Sequence, residues 1–264
     1  MRTFVFTCLL LLGMTTFAQD ANFHIYLCLG QSNMEGNAKV EEQDTVAVDS
    51  RFQVLAAVDC SNLGRTKGNW YKAVPPLARC YTGLTPGDYF GRAMVANLPS
   101  NVRVGIINVA VGGCRIELFD KDNYQSYVET SPDWLKNMVK EYGGNPYARL
   151  VEMAKLAQKD GVIKGILLHQ GESNTNDKDW PLKVKGVYDN LLNDLGLSAV
   201  NVPLLAGEVV HADQNGVCAS MNTIIDSLPQ VIPTAHVISS AGCPAAFDNL
   251  HFTAEGYRML GARY

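Results

Sequence analysis

The sequence has no excess of positive charge. Its 22 Lys and Arg stand against 26 Asp and Glu, a formal net charge of −4. That balance argues against a nucleic-acid partner, which calls for a basic surface. Past the first eighteen residues no apolar run is long enough to cross a bilayer, so no membrane span is expected in the mature chain. There is no internal repeat, no low-complexity tract and no linker, which leaves a single domain as the expectation. Histidine is scarce, with five residues. His169 and Glu172 form an H-x-x-E pair, but two ligands are too few for a metal centre and no third partner stands out. No metal or cofactor is expected.

What the chain does contain is enough apolar material for a core. Nearly half of its 264 residues are hydrophobic, which suits one large α/β domain. Residues 1–18 read as a secretory signal. Arg2 supplies a positive start, Phe4 to Met14 an apolar centre, and Thr16-Phe17-Ala18 small residues flanking a cut before Gln19. The mature protein, residues 19–264, is thus expected to be secreted or periplasmic. Cys8 sits inside the apolar centre and does not fit a lipoprotein cysteine. Export permits disulfides. Of the six cysteines left after cleavage, Cys60 with Cys80 and Cys218 with Cys243 are plausible pairs in loop-like sequence. Cys28, in an apolar run, reads as a buried thiol.

The stretch Leu29-Gly30-Gln31-Ser32-Asn33-Met34-Glu35-Gly36 organises the rest. It follows the apolar run Phe23 to Leu29, a short buried strand ended by glycine. Ser32 therefore lies at the carboxyl end of the first strand, where open α/β sheets bind ligands. Its hydroxyl either points into a cleft or caps the next helix. Residues 37–87 read as a long irregular passage, an ordered lid or rim, in which Trp70, Tyr71 and Tyr81 either pin the loop or meet a sugar face. A helix is expected over Asp88 to Leu98 with Asp88 as its cap. A strand follows over Val102 to Val111, then a long connection over 114–145 with Trp134 on a short helix. Asn145 to Lys159 reads as a helix, Val162 to Leu168 as a strand, Trp180 to Leu195 as a helix and Pro203 to Val210 as a strand. Val217 to Leu228 is again helical, His236 to Ser240 is a fifth strand, and Ala254 to Tyr264 starts a last helix. The chain ends inside that helical pattern, which points to a chain cut short or a very short tail. This alternation predicts a parallel sheet with helices on both faces.

Polar residues collect at the strand ends: Ser32, Gly112-Gly113, His169 to Glu172, Glu208, and Asp248 with His251. In a parallel sheet these ends share one edge. Serine needs a base to become a nucleophile. His251 can take and return its proton, and Asp248, three residues earlier, can hold the ring in the right tautomer. A carbonyl attacked there develops an oxyanion that needs donors, for which the Ser32 N–H, the Gly113 N–H and the Gln170 amide are the candidates.

Four blocks, G-Q-S-N-M-E-G at 30–36, V-G-G-C-R-I-E at 111–117, H-Q-G-E-S-N at 169–174 and D-N-L-H at 248–251, resemble those of SGNH-type (GDSL-like) hydrolases. The branch they resemble holds sialate O-acetylesterase-like proteins and the acetyl xylan esterases of carbohydrate esterase family six. The resemblance implies a flavodoxin-like three-layer α/β/α sandwich with, on the reading above, a five-stranded parallel sheet. It also implies metal-free ester hydrolysis through an acyl-enzyme. It puts the nucleophile on Ser32, the base on His251, its carboxylate partner on Asp248, and the oxyanion donors on Ser32, Gly113 and Gln170. Cys114 stands where the family often has threonine or serine. Other branches carry an asparagine donor in the third block; here that role falls to Gln170, with Asn174 as a substitute.

Supporting roles are expected for Gln31, Asn33, Glu172 and Arg115. Asn33 caps a helix or lines the site. Glu172 orients the Gln170 loop. Arg115 either meets a substrate carboxylate or pairs with Glu117. The expected activity is removal of acetyl groups from polysaccharide such as xylan. The rivals are a sialate O-acetylesterase, a feruloyl esterase and a carbohydrate-binding protein that has lost activity. The partner is an acylated carbohydrate; oligomeric state is not legible.

Overall fold

The computed structural model describes residues 19–264, so the expected signal over 1–18 lies outside the described residues. In chain order the first half runs β1 (Asp20–Gly30), α1 (Ser32–Glu35), α2 (Glu42–Thr45), β2 (Phe52–Leu55), β3 (Trp70–Lys72), α3 (Pro86–Asn97), β4 (Arg103–Ala110), α4 (Tyr124–Thr130), α5 (Asp133–Glu141) and α6 (Pro146–Ala157). The second half runs β5 (Gly161–His169), α7 (Trp180–Leu195), β6 (Leu204–Gly207), α8 (Asn222–Ile225), α9 (Leu228–Val231), β7 (Ala235–Ile238) and α10 (Ala254–Arg263).

Among the described residues the strands form one sheet in the order β3-β2-β4-β1-β5-β6-β7. The five expected strands occupy β4-β1-β5-β6-β7, all parallel. That is the 2-1-3-4-5 order of flavodoxin-like sheets. The count of five needs correction, because residues 37–87 are more than a rim. They add β2, parallel to β4, and β3, antiparallel to β2, at one edge. These strands are four and three residues long, too short to show a period. Trp70 works structurally: its ring packs 4.8 Å from Phe23 and its indole N–H donates to Asp160.

The pleat of β1 divides the core. Phe23, Ile25, Leu27 and Leu29 face one cluster with Leu150 and Met153 of α6 and Val184, Tyr188 and Leu191 of α7. Tyr26 and Cys28 face the other, with Phe90 and Val95 of α3, against which α10 packs. Each large apolar side chain so buried contributes roughly 1.5–3 kcal/mol. The run is apolar on both faces because helices cover both.

The Cys60–Cys80 disulfide is present and staples the 37–87 passage. The Cys218–Cys243 pair is not: both thiols are free. Cys243 is buried in a cluster around Phe252 and Tyr257, while Cys218 faces the Glu172 carbonyl. Cys28 is a buried free thiol, as read. The helix expected over 217–228 is broken into a 3-10 turn, α8 and α9, and the strand expected from Pro203 to Val210 shortens to β6. Glu208, next after β6, accepts from the Ser239 hydroxyl and the Ser240 N–H and so ties down the end of β7.

The cap of α3 also differs from expectation. Thr85 is the N-cap, and Asp88 closes a capping box from inside the first turn by accepting the Thr85 N–H at 2.9 Å. Asp88 is buried, and its Oδ1 has no partner among the described residues. Burial pushes its pKa up from 3.8 to about 8, against the Thr85 hydrogen bond and the charge of Arg92. The folded state therefore keeps a proton that the unfolded state releases, and stability falls as pH rises from about 4 to about 8. Asp88→Asn keeps an acceptor and removes the titration. Its melting temperature is expected to exceed wild type at pH 8, with the gap closing towards pH 4. Parallel melting curves across that range would refute a protonated Asp88.

Candidate functional site

Ser32 lies at the carboxyl end of β1, between β4 and β5, where the winding of the sheet changes direction. The turn that presents it is tightly built. Gly30 has φ +147°, and a Cβ there would fall 2.0 Å from the His169 carbonyl oxygen; only glycine fits. Gln31 donates its N–H to that same carbonyl at 3.0 Å. The short helix α1 then ends under two side chains that sequence reasoning passed over. Thr85 Oγ1 and Asn108 Nδ2 each donate to the Met34 carbonyl at 2.8 Å. Asn108 is a buried polar residue inside an apolar strand, and that mismatch was the available signal.

His251 arrives from the far end of the chain. Its Nε2 is 2.9 Å from Ser32 Oγ and its Nδ1 is 2.7 Å from Asp248 Oδ2. The other Asp248 oxygen accepts the Leu250 and His251 N–H groups at 3.0 Å each. Burial would raise the Asp248 pKa, but the hydrogen bonds from the His251 ring and from these two N–H groups outweigh it and hold the carboxyl below its usual value. With a carboxylate on Nδ1–H, the Nε2 lone pair faces the serine, the arrangement that general-base activation requires.

Asn33 connects the blocks. Its Nδ2 donates to Glu172 Oε1 and to the Leu250 carbonyl, and its Oδ1 accepts from Tyr257. It thus lines no open face but fixes the segment just before His251. Gln31 Oε1 accepts from the Ser173 N–H at 3.2 Å and from Gln170 Nε2 at 3.1 Å, docking the 169–174 loop on the serine turn. Glu172 is buried beside the cleft, and burial raises its pKa.

Gln170 requires correction. It is buried, and its Nε2 is committed to Asn174 Oδ1 at 2.8 Å, Gln31 Oε1 and the Cys114 carbonyl. Its Oε1 accepts from the Trp180 indole. The amide therefore braces the loop beneath the site and does not face the cleft. Asn174 is no substitute, since its Oδ1 accepts from Ile116 N–H and Gln170 while its Nδ2 donates to Glu117 and Asp177. The Ser32 and Gly113 N–H groups remain: both residues line the cleft, and neither N–H donates to another group among the described residues.

Arg115 pairs with Glu117 and Asp177 at 3.4 and 3.5 Å and stays outside the cleft. Cys114 is buried, with its thiol towards the Gly30 carbonyl, so the departure at that position leaves a weak donor on the serine turn. His169 is buried and neutral; burial lowers its pKa to about 3. Its Nε2 lies 3.7 Å from Glu172 Oε1. Among the described residues no three His, Cys, Asp or Glu side chains converge as a metal site.

Glu35, three residues after Ser32, was not singled out from sequence. It accepts from Arg79 Nη2 at 2.7 Å and Nε at 3.0 Å, and Arg79 also pairs with Glu141. A Cβ on Gly112 would lie 2.8 Å from Glu35 Oε2, and one on Gly113, at φ +69°, would lie 2.7 Å from the Trp134 ring. Two bare glycines thus let a carboxylate anchor and an indole wall press on the same turn.

The cleft encloses about 370 Å³, with Ser32, Gly112, Gly113, Trp134, Met138 and His251 among its lining. Glu35 and Glu172 also line it, and among the described residues no lysine or arginine does. A larger hollow of about 720 Å³ lies at the opposite edge of the sheet, around Phe23, Trp70 and Arg103, far from the serine.

Residues 22–264 match the protein family described as carbohydrate esterase, sialic acid-specific acetylesterase. A probable carbohydrate esterase of Arabidopsis thaliana is 25% identical over 252 residues, covering 90% of this chain and 86% of that protein. The solved structure of that Arabidopsis protein superposes with a TM-score of 0.68 at 20% identity, over 92% of this chain and 95% of the other. A carbohydrate acetylesterase from Xanthomonas citri superposes with a TM-score of 0.59 at 17% identity, over 90% of this chain and 54% of the other.

Proposed function

This chain belongs to the family of carbohydrate esterases described as sialic acid-specific acetylesterases and is a carboxylic ester hydrolase; on that premise we propose that it is an exported serine esterase that removes acetyl groups from a neutral polysaccharide such as xylan. The observation that carries the proposal is the continuous hydrogen-bonded path from Ser32 through His251 to Asp248 at the mouth of a cleft.

As Ser32 Oγ adds to the ester carbonyl carbon, its proton passes to His251 Nε2. The tetrahedral oxyanion is met by the Ser32 and Gly113 N–H groups, which are already in place and need no reorganisation. Collapse breaks the bond to the sugar oxygen. That oxygen leaves with the proton from His251, and the acetyl group stays on Ser32. A water molecule, deprotonated by His251, then attacks the acetyl carbon; acetate departs and Ser32 takes the proton back. The Asp248 carboxylate stabilises the imidazolium in both halves.

The preference for a neutral sugar over sialic acid rests on charge. A sialic acid carries a carboxylate, and among the described residues the cleft lining supplies it no free cation: no lysine or arginine lines it, and the nearby Arg79 is already held by Glu35 and Glu141, so that carboxylate would be desolvated without a partner. Acetate release should be compared on acetylated xylan and acetylated sialic acid, and ferulate release on feruloylated arabinoxylan, each with and without chelator. The expected result is the highest kcat/KM on acetylated xylan, unchanged by chelator. A tenfold preference for the sialic acid would overturn the neutral-sugar reading. Export predicts a mature chain that begins at Gln19, readable by amino-terminal sequencing of protein recovered outside the cytoplasm.

A further inference from the structure

Phe247 is fully exposed. A phenyl ring left in water forgoes the gain of burial, and here the ring sits on the residue next to Asp248. The loop beneath it is held firmly. Ala245 bridges Phe252, the Ala246 N–H donates to the His251 carbonyl at 2.7 Å, and the Asn249 N–H donates to the Ala246 carbonyl at 3.0 Å. The Val217 N–H in turn holds the Asn249 carbonyl at 3.0 Å. The backbone under Phe247 is therefore pinned from both sides, so contact with a ligand loses little backbone entropy at this point.

Phe247 walls a second hollow of about 300 Å³, which also takes in Lys39, Glu41 and Thr253. Asn37 and His251 line both this hollow and the one around Ser32. The two hollows therefore adjoin, with His251 at their junction. Trp134, half exposed above Gly113, walls the hollow that holds Ser32. Each of the two adjoining hollows thus carries one exposed aromatic ring. Two hydroxyl-binding groups, the Asn37 amide and the Lys39 ammonium, line the second, beside a Thr253 hydroxyl held by the Pro244 carbonyl and the Gly256 N–H and a Glu41 carboxylate held by Arg258 and Gln43. An aromatic face beside fixed polar groups is the chemistry that recognises a pyranose ring, apolar on its C–H face and polar at its rim.

The geometry points to a second sugar subsite on Phe247, occupied by the unit adjoining the acetylated residue, so that the enzyme acts on chains of two or more sugars rather than on single sugar acetates. The inference rests on the carbohydrate esterase reading above and specifies its substrate as an oligosaccharide or polymer. Phe247 is a specificity residue in this assignment, since it touches the substrate away from the ester.

The experiment compares kcat/KM on p-nitrophenyl acetate, acetylated xylose and acetylated xylotetraose for wild type, Phe247→Ala and Phe247→Tyr. The ratio of xylotetraose to p-nitrophenyl acetate should fall roughly tenfold in Phe247→Ala, mostly through KM, as loss of one stacking contact implies. Phe247→Tyr should restore it, and acetylated xylose should follow p-nitrophenyl acetate. An equal loss on all three substrates would make Phe247 a support for Asp248 and overturn the subsite, as would an unchanged ratio. Wild type alone supplies a second test: unacetylated xylotetraose should inhibit p-nitrophenyl acetate hydrolysis at a concentration where xylose does not, and equal inhibition by both would also overturn it. A wild-type protein that hydrolyses none of the three esters would instead sink the esterase reading, a result separate from any effect of Phe247.

Discussion

Ser32→Ala is expected to reduce kcat on acetylated substrate by roughly 10⁶-fold, the scale at which removal of a nucleophile acts in a comparable relay. The reason is local. Ser32 Oγ is the hydroxyl in the cleft that lies within hydrogen-bond reach of an imidazole nitrogen, at 2.9 Å. Ser173 also lines the cleft, but its hydroxyl donates to the Gly113 carbonyl at 3.0 Å, a partner that cannot take a proton. Ser173→Ala is therefore the matching control and should keep most of the wild-type rate. Ser32 is half exposed at the head of a four-residue helix, and loss of its oxygen leaves no buried group without a partner. The melting temperature should stay within a few degrees of wild type. Intact mass of wild type quenched during turnover should show an acetyl adduct that the Ser32→Ala protein lacks. Retention of even a hundredth of the wild-type rate would place the nucleophile elsewhere.

Asp248→Asn should cost roughly 10⁴-fold in kcat, by analogy with the same change in the serine protease relay. Asn keeps an oxygen for the Leu250 and His251 N–H groups that Asp248 now satisfies, so the loop should hold. What changes is the group facing His251 Nδ1. A carboxylate oxygen there, at 2.7 Å, accepts Nδ1–H and leaves Nε2 free to accept from Ser32. An amide N–H in that place donates to Nδ1, moves the ring proton to Nε2 and removes the base. Any charge that develops on the ring then loses its counter-ion as well. A variant that folds like wild type and loses less than tenfold would exclude Asp248 as the orienting group. Glu172, whose pKa is raised by burial next to Asn33, would then be the carboxylate to test.

The long apolar runs were legible because a strand covered on both faces needs no polar alternation. Val102 to Val111 and Val162 to Leu168 match β4 and β5 within one residue at each end, and Phe23 to Leu29 lies inside β1, which begins three residues earlier at Asp20. The α7 helix matched over Trp180–Leu195 because sixteen residues give its period room to show. The added strands β2 and β3 were not legible, since three or four residues become a strand only by pairing with β4 and with each other. Thr85 was missed because a capping box has two members, and the acidic one drew the cap to itself. Cys218 and Cys243 show the limit of spacing arguments: loop-like sequence around both does not bring their sulfurs together.

By itself the chain determined the five parallel strands and which residues end up on the carboxyl edge of the sheet, because parallel strands joined by helices all deliver their ends to one side. Tertiary structure decided where each of those side chains turns. Gln170 and Ser32 both follow a central strand, yet one amide is drawn under the site by Asn174 and Trp180 while the hydroxyl meets His251 across 219 residues of sequence. Buried polar groups must find partners wherever the fold supplies them, and those partners come from segments whose approach no local pattern records.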